Sequence, residues 1–256
     1  DLGYMINPSE AKVHKGHFEW GDWDLYDSFK YRYIGYLTFA LNYWIHKLDV
    51  TGYHLTNLAV HLINSLIVYW FVVLTFRTPF LDSSVLRERS TEIALFTALL
   101  FACHPLQTQA VTYIWQRVTS LSTTFYILSL VLYIIWRLKS LKTVSLTAQM
   151  PFLYYFGSII SAVIAMKTKE IAFTLPVVVF LYELMFFEEK LKKRLLNITP
   201  IFLTMLIIPV SILYSDKLTG DFIGNIGEAT RVDTSIPRWD YFLTQFSVIV
   251  TYIRLI

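Results

Sequence analysis

The chain alternates long apolar blocks with short polar breaks. The block from Tyr53 to Phe76 contains no Asp, Glu, Lys or Arg over 24 residues. A helix needs about 20 apolar residues to cross the hydrocarbon core, and a lipid-exposed span must satisfy its own backbone, which makes helix the expected form. Further spans are expected from Val85 or Glu92 to Cys103, Val118 to Trp136, Gln149 to Met166, Ile171 to Phe187 and Leu196 to Tyr214, with a last one from near Tyr241. Residues 1–52 read differently. They are polar, aromatic and mixed in charge, and their apolar piece from Ile34 to Ile45 is too short to cross. Tyr36, Tyr43 and Trp44 suit the headgroup layer, so this piece is expected to be an interfacial helix. The expectation is an all-α polytopic membrane protein: a loop over 1–52, then a transmembrane bundle over 53–256 with about seven spans.

Composition agrees with that pattern. Hydrophobic residues make up 55% and charged residues 16%, against roughly 25% charged in soluble domains. Basic residues cluster in alternate loops. Arg77, Arg87 and Arg89 fill one, Arg137, Lys139 and Lys142 the next, and Lys190, Lys192, Lys193 and Arg194 the third. The positive-inside rule assigns these loops to the cytoplasm. The front loop, H-P-L-Q-T-Q, K-T-K-E and residues 215–238 then share the opposite face. Net charge is +3 and follows topology, so no nucleic-acid binding is read from it. Cys103 is expected to be a small buried residue.

Four polar features interrupt the apolar blocks. His54, Asn57, His61, Asn64 and Ser65 fall on one face of the first span. Such groups either hydrogen-bond between helices or line a site. The second feature is His104 to Arg117, where Pro105 breaks the helix and Gln107, Gln109, Tyr113, Gln116 and Arg117 supply donors. The third, Lys167-Thr168-Lys169-Glu170, puts two cations at the outer interface. They are either snorkelling anchors or point charges for a phosphate. The fourth is an acidic front of Asp1, Glu10, Glu19, Asp22, Asp24 and Asp27. Most of these read as solvated loop charges, and a carboxylate among them is a candidate general base or metal ligand. Phosphate loops, dinucleotide fingerprints, H-E-x-x-H and paired C-x-x-C are missing from the sequence.

Several stretches together carry a resemblance: Y-R-Y-I-G-Y-L-T-F-A-L-N-Y-W, G-Y-H-L-T-N-L-A-V-H-L-I-N-S, H-P-L-Q-T-Q-A-V-T-Y-I-W-Q-R, K-T-K-E-I-A-F-T-L-P and L-Y-E-L. They resemble the membrane domain of TMTC-type, tetratricopeptide-linked proteins, which belong to the GT-C glycosyltransferase superfamily with the protein O-mannosyltransferases. The closing S-I-P-R-W-D-Y-F-L-T-Q-F-S-V-I-V-T-Y-I-R-L resembles the bacterial members. The resemblance implies a GT-C-like bundle with a large first extracytoplasmic loop, here lacking the first helix. It implies inverting transfer of a sugar from a polyprenyl-phosphate donor to an extracytoplasmic protein or glycan acceptor, with protein O-glycosylation first. It also implies a multi-pass protein of the bacterial inner membrane with its active face outside the cytoplasm.

In that family an acidic pair opens the first loop. Asp1 matches its second member, placing the first member and a helix upstream, with tetratricopeptide repeats beyond Ile256. Asp1 is therefore the expected catalytic residue. Arg32, His54, His61, His104, Gln107, Gln109, Tyr113, Arg117, Lys167, Lys169 and Glu170 are the expected substrate-binding residues, and a divalent metal is left open. Two positions depart from the pattern: Tyr33 stands where proline is usual, and Gln109 where glutamate is frequent. The competing readings are a transporter or flippase for a lipid-linked sugar and a non-catalytic membrane scaffold.

Overall fold

The computed structural model describes residues 32–142, 149–210 and 238–254. Asp1 and the other acidic front residues, the 143–148 connection and residues 211–237 lie outside that range. The described residues contain α-helices and 3₁₀ turns and no strand.

Helix α1, Tyr33–His46, is the short apolar piece of the front segment. It ends at Lys47, whose φ of 54° is the one positive value at a non-glycine residue among those described. Asp49 then caps α2, Val50–Thr75, by accepting the Thr51 amide at 3.0 Å, which satisfies one of the free donors at the helix start. At 26 residues and about 1.5 Å per residue, α2 is long enough to cross a bilayer. Leu55, Leu58, Leu62, Leu66 and Trp70 are exposed along one side of it. Asn57, His61, Asn64 and Ser65 are buried on the other. That is the inverse of a soluble amphipathic helix, with apolar side chains outward and polar ones inward.

A 3₁₀ turn, Val85–Arg89, leads into α3, Ser90–Cys103. Pro105 has no amide to continue the helix, and the chain bends by 52° into Pro105–Thr112, which includes α4, Thr108–Thr112. Cys103 is exposed, contrary to the burial expected for it. It follows Phe96, Leu99 and Leu100, all exposed, at helical spacing on the outward face of α3.

Helix α5, Arg117–Lys142, packs on α6, Gln149–Met166. Their contact is built from small residues that let two helices approach closely. Ser129 and Ser158 each donate to the other's carbonyl at 2.8 Å, beside fully buried Ala162. A 3₁₀ segment, Glu170–Thr174, precedes α7, Leu175–Phe186, and α8 is Leu191–Leu203. Tyr133, Ile134, Leu175, Val179, Ile198 and Ile201 form the core shared by α5, α7 and α8. The last described helix is α9, Arg238–Arg254.

Three helical stretches are long and apolar enough to span a membrane: Val50–Thr75, Ile114–Leu141 and Leu191–Val210. The bent pair Val85–Cys103 with Pro105–Thr112 makes a fourth. The apolar block from Ile171 to Phe187 does not form one long helix. Pro176 is confined to the first turn of α7, and the residues before it wind as 3₁₀. At 12 residues and about 1.5 Å each, α7 is too short to cross alone.

Candidate functional site

The ends of the bundle have different chemistry. At one end lie the starts of α1, α2 and α5, the broken segment 104–117 and the turn after α6. At the other lie the three basic loops, brought together by an edge-to-face contact of Phe80 with Phe186, with ring centroids 6.2 Å apart, and by the Arg137–Glu189 and Glu189–Lys193 ion pairs.

At the first end the K-T-K-E turn closes between α6 and α7. Arg32 donates to Glu170 through Nε at 3.0 Å and through a terminal nitrogen at 3.1 Å. This bidentate pair ties the front of α1 to a residue 138 positions away. Lys169 donates to the Thr119 hydroxyl at 2.7 Å, and Thr119 donates to the side-chain oxygen of Gln116 at 2.8 Å. Partial burial lowers the Lys169 pKa, and Arg32 lowers it further while Glu170 opposes. Burial also lowers that of Lys167. Two cationic side chains, one carboxylate, one hydroxyl and one amide thus meet at the mouth of α5 and α6. A site of this kind favours an anion, which returns the charge balance that the lysines lack when partly desolvated.

Arg117 sits deeper. It is completely buried, donates to Asn57 Oδ1 at 2.7 Å and to the Tyr53 carbonyl at 2.9 Å, and reaches the Thr38 carbonyl at 3.5 Å. Its guanidinium also lies over the Phe39 ring, 4.6 Å from the centroid. One cation therefore joins α1, α2 and α5.

The α2 stripe meets the broken segment. His54 Nδ1 lies 3.3 Å from the Val111 carbonyl, and His61 Nε2 lies 3.0 Å from the Ala102 carbonyl. Asn57 Nδ2 donates to the Tyr113 and Ile114 carbonyls, and Asn64 donates to the Ser120 carbonyl. His61 thus meets a carbonyl at the Pro105 break, His54 and Asn57 meet carbonyls at the end of α4, and Asn64 reaches into α5. His104 accepts the Leu106 amide at 3.2 Å and caps the turn that follows. Gln109 and Tyr113 are exposed and Gln107 half-buried. The structure thus brings Arg32, Lys169 and Glu170 into one group with Thr119 and Gln116. His54, His61 and Arg117 lie in the framework behind it, and His104 at the bend. Asp1 lies outside the described residues. Among the described residues no three His, Cys, Asp or Glu side chains converge as metal ligands would.

The sequence reading assigned no role to Glu183. It is fully buried, accepts from Arg137 Nε at 2.9 and 3.0 Å, and accepts from the Tyr133 hydroxyl at 3.1 Å. Arg137 also pairs with Glu189 at 2.8 Å. The signal was a single acid in the apolar run Ile171 to Phe187, with an arginine at the matching end of the preceding long span.

Fold and polar framework define an all-α, multi-pass membrane protein with a cationic cluster at one end. Comparison with curated proteins gives the family resemblance its content. The chain is 32% identical over 168 residues to Protein O-mannosyl-transferase Tmtc3 of Drosophila melanogaster, covering 60% of this chain and 17% of the relative. It is 39% identical over 103 residues to Protein O-mannosyl-transferase TMTC3 of Mus musculus, covering 40% and 10%. Against Protein O-mannosyl-transferase F38B6.6 of Caenorhabditis elegans it is 32% identical over 105 residues, covering 41% and 14%. These relatives match the TMTC-type resemblance that the motifs carry, and the chain spans less than a fifth of their length. No family model and no solved structure matches the chain.

Proposed function

We propose that the chain is part of a membrane glycosyltransferase that moves a sugar, mannose by the names of its relatives, from a polyprenyl-phosphate donor to an acceptor hydroxyl outside the cytoplasm. The observation that carries this reading is the Arg32–Glu170–Lys169–Thr119–Gln116 cluster at the mouth of the bundle. A lipid-linked sugar presents its phosphate at the membrane surface, and the cluster offers cations and neutral donors at one end of membrane-length helices.

In the proposed reaction the acceptor hydroxyl attacks the anomeric carbon and the bond from that carbon to the phosphate oxygen breaks. The hydroxyl proton passes to the Asp1 carboxylate, an assistance worth typically 10² to 10⁴ in rate. Lys167, Lys169 and Arg32 stabilise the charge that develops on the departing phosphate. Gln107, Gln109, Tyr113 and His104 line the approach for sugar and acceptor. Arg117, His54 and His61 hold the frame. The bilayer and a protein or glycan acceptor are the partners, and the reacting face is extracytoplasmic, in the inner membrane if the host is bacterial.

The test uses the full chain in lipid with a panel of polyprenyl-phosphate sugars, following polyprenyl phosphate release by mass spectrometry. Release is expected with one donor and is lost in Asp1→Asn. Undiminished release from that variant removes Asp1 as the base. No release across the panel, from folded protein, overturns the donor assignment.

A further inference from the structure

The opposite end of the bundle carries a second charged surface that the proposed transfer chemistry does not use. Ten cations, Arg77, Arg87, Arg89, Arg137, Lys139, Lys142, Lys190, Lys192, Lys193 and Arg194, outnumber its six acids. Glu88, Glu92 and Glu188 are exposed and make no ion pair among the described residues, and the other three acids are paired internally. Asp82 pairs with Arg87, Glu183 with Arg137, and Glu189 with both Arg137 and Lys193. Arg77, Lys190 and Lys192 are exposed, and none of them makes an ion pair among the described residues. Arg194 falls on the opposite face of α8, four and seven positions before buried Ile198 and Ile201, and its Nε is buried. Lys190 and Lys192 adjoin an apolar shoulder on α8, where Leu191, Leu195 and Leu196 are 58%, 48% and 72% exposed. Lys192 precedes Leu195 and Leu196 by three and four positions, so it stands on the same helix face. Phe80, Val85 and Leu86 are likewise exposed on the neighbouring loop.

We propose that this surface binds the headgroup phosphates of anionic phospholipid, with acyl chains against the Leu191–Leu195–Leu196 shoulder and phosphate oxygens at Lys190 and Lys192. Charge complementarity selects the occupant. Uncompensated cations beside apolar side chains at the end of membrane-length helices meet the phosphate and the first methylenes of a lipid together. A soluble anion would use the cations and leave the leucines bare. The proposal rests on this end of the bundle alone, and holds whichever face of the membrane it lies on.

The test compares the full chain with Lys190→Gln/Lys192→Gln, each in nanodiscs of phosphatidylcholine alone or with phosphatidylglycerol. Native mass spectrometry counts retained phosphatidylglycerol, and thermal unfolding is measured on the same samples. Wild type is expected to retain phosphatidylglycerol and to gain thermal stability from it. The double variant is expected to lose the preference by roughly five-fold per charge removed, with added salt eroding the effect in wild type. Equal retention by wild type and variant overturns the proposal. So does an equal gain from inorganic phosphate in phosphatidylcholine discs, which would mark a soluble-anion site. If the double variant does not fold, Lys190→Arg/Lys192→Arg must retain the lipid and Lys192→Glu alone must shed it; any other result overturns the proposal.

Discussion

Arg117 donates its Nε proton to Oδ1 of Asn57 at 2.7 Å, and both side chains are completely buried. Helices α1, α2 and α5 are joined through this residue, because the same guanidinium also reaches the Tyr53 and Thr38 carbonyls. Leucine at position 57 would leave the cation buried with one acceptor fewer. Loss of a hydrogen bond to a buried charged group costs about 2–4 kcal/mol. Asn57→Leu is therefore expected to lower the unfolding temperature in detergent markedly, and Asn57→Asp to lower it less. An unfolding temperature for Asn57→Leu equal to wild type would show that the contact contributes nothing.

Glu183 makes a parallel case at the other end. Removing one partner of a buried ion pair costs roughly 3–5 kcal/mol, while replacing both with apolar groups is often neutral. Glu183→Leu alone is expected to unfold early or fail to accumulate. Arg137→Met with Glu183→Leu should recover most of the loss, although Glu189 then keeps only Lys193. A double-mutant cycle measured by thermal unfolding decides it, and a double variant as poor as Glu183→Leu counts against the pairing.

Glu189 adds a pH dependence. Burial works against its carboxylate, but Lys193 and Arg137 outweigh that and hold its pKa below the ordinary value of 4.5. Its folded pKa lies below the unfolded one. The group's contribution is then fully present above about pH 4.5 and is lost as pH falls through the depressed value. Glu189→Gln is expected to be less stable than wild type at neutral pH, with the gap closing in acid. A constant gap across a pH series would assign the loss to something other than charge.

The apolar blocks made the helices legible, since a charge-free run of bilayer length has few other fates. Position 105 was equally legible as a break, because proline alone dictates it. The short α1 followed from a run too short to cross. Less legible was the division of the run Ile171 to Phe187, where Pro176 sits at the start of a helix and not within it. Cys103 was misread because small residues in apolar runs were equated with the interior, whereas here the outward face is itself apolar. The pairing of Arg32 with Glu170 and of Lys169 with Thr119 depends on contacts over 138 and 50 positions. A single sequence carries the residues for such contacts but not the distances.

Gly35 tests the seating of α1. A methyl group there would approach Val118 Cγ2 to 2.8 Å, and overpacking of this kind typically costs 1–3 kcal/mol. Gly35→Ala is expected to loosen α1 from α5, seen as faster amide exchange over Tyr33–His46. Val118→Ala in the same chain should restore protection by making room. Protection unchanged in Gly35→Ala would mean that the methyl group is accommodated without loosening α1 from α5.

Lys169 separates a phosphate-binding role from an anchoring one. Its pKa is lowered by burial and by Arg32, so its charged form is held under strain that a bound phosphate would relieve. A charge-assisted hydrogen bond contributes about 1.5–3 kcal/mol. Lys169→Met is therefore expected to weaken binding of polyprenyl phosphate roughly 10- to 100-fold, with Lys169→Arg retaining most of the affinity. The sign of the pH dependence is set by the depressed pKa. Free Lys169 loses its proton as pH rises through a value below the ordinary lysine range, and wild-type affinity should fall over that interval. Lys169→Met should show no such fall, and Lys169→Arg should carry its affinity to higher pH. An anchoring lysine predicts otherwise: its loss would lower the unfolding temperature and leave affinity and its pH profile unchanged. Titration of polyprenyl phosphate against the three proteins in nanodiscs, from neutral to alkaline pH, distinguishes the two.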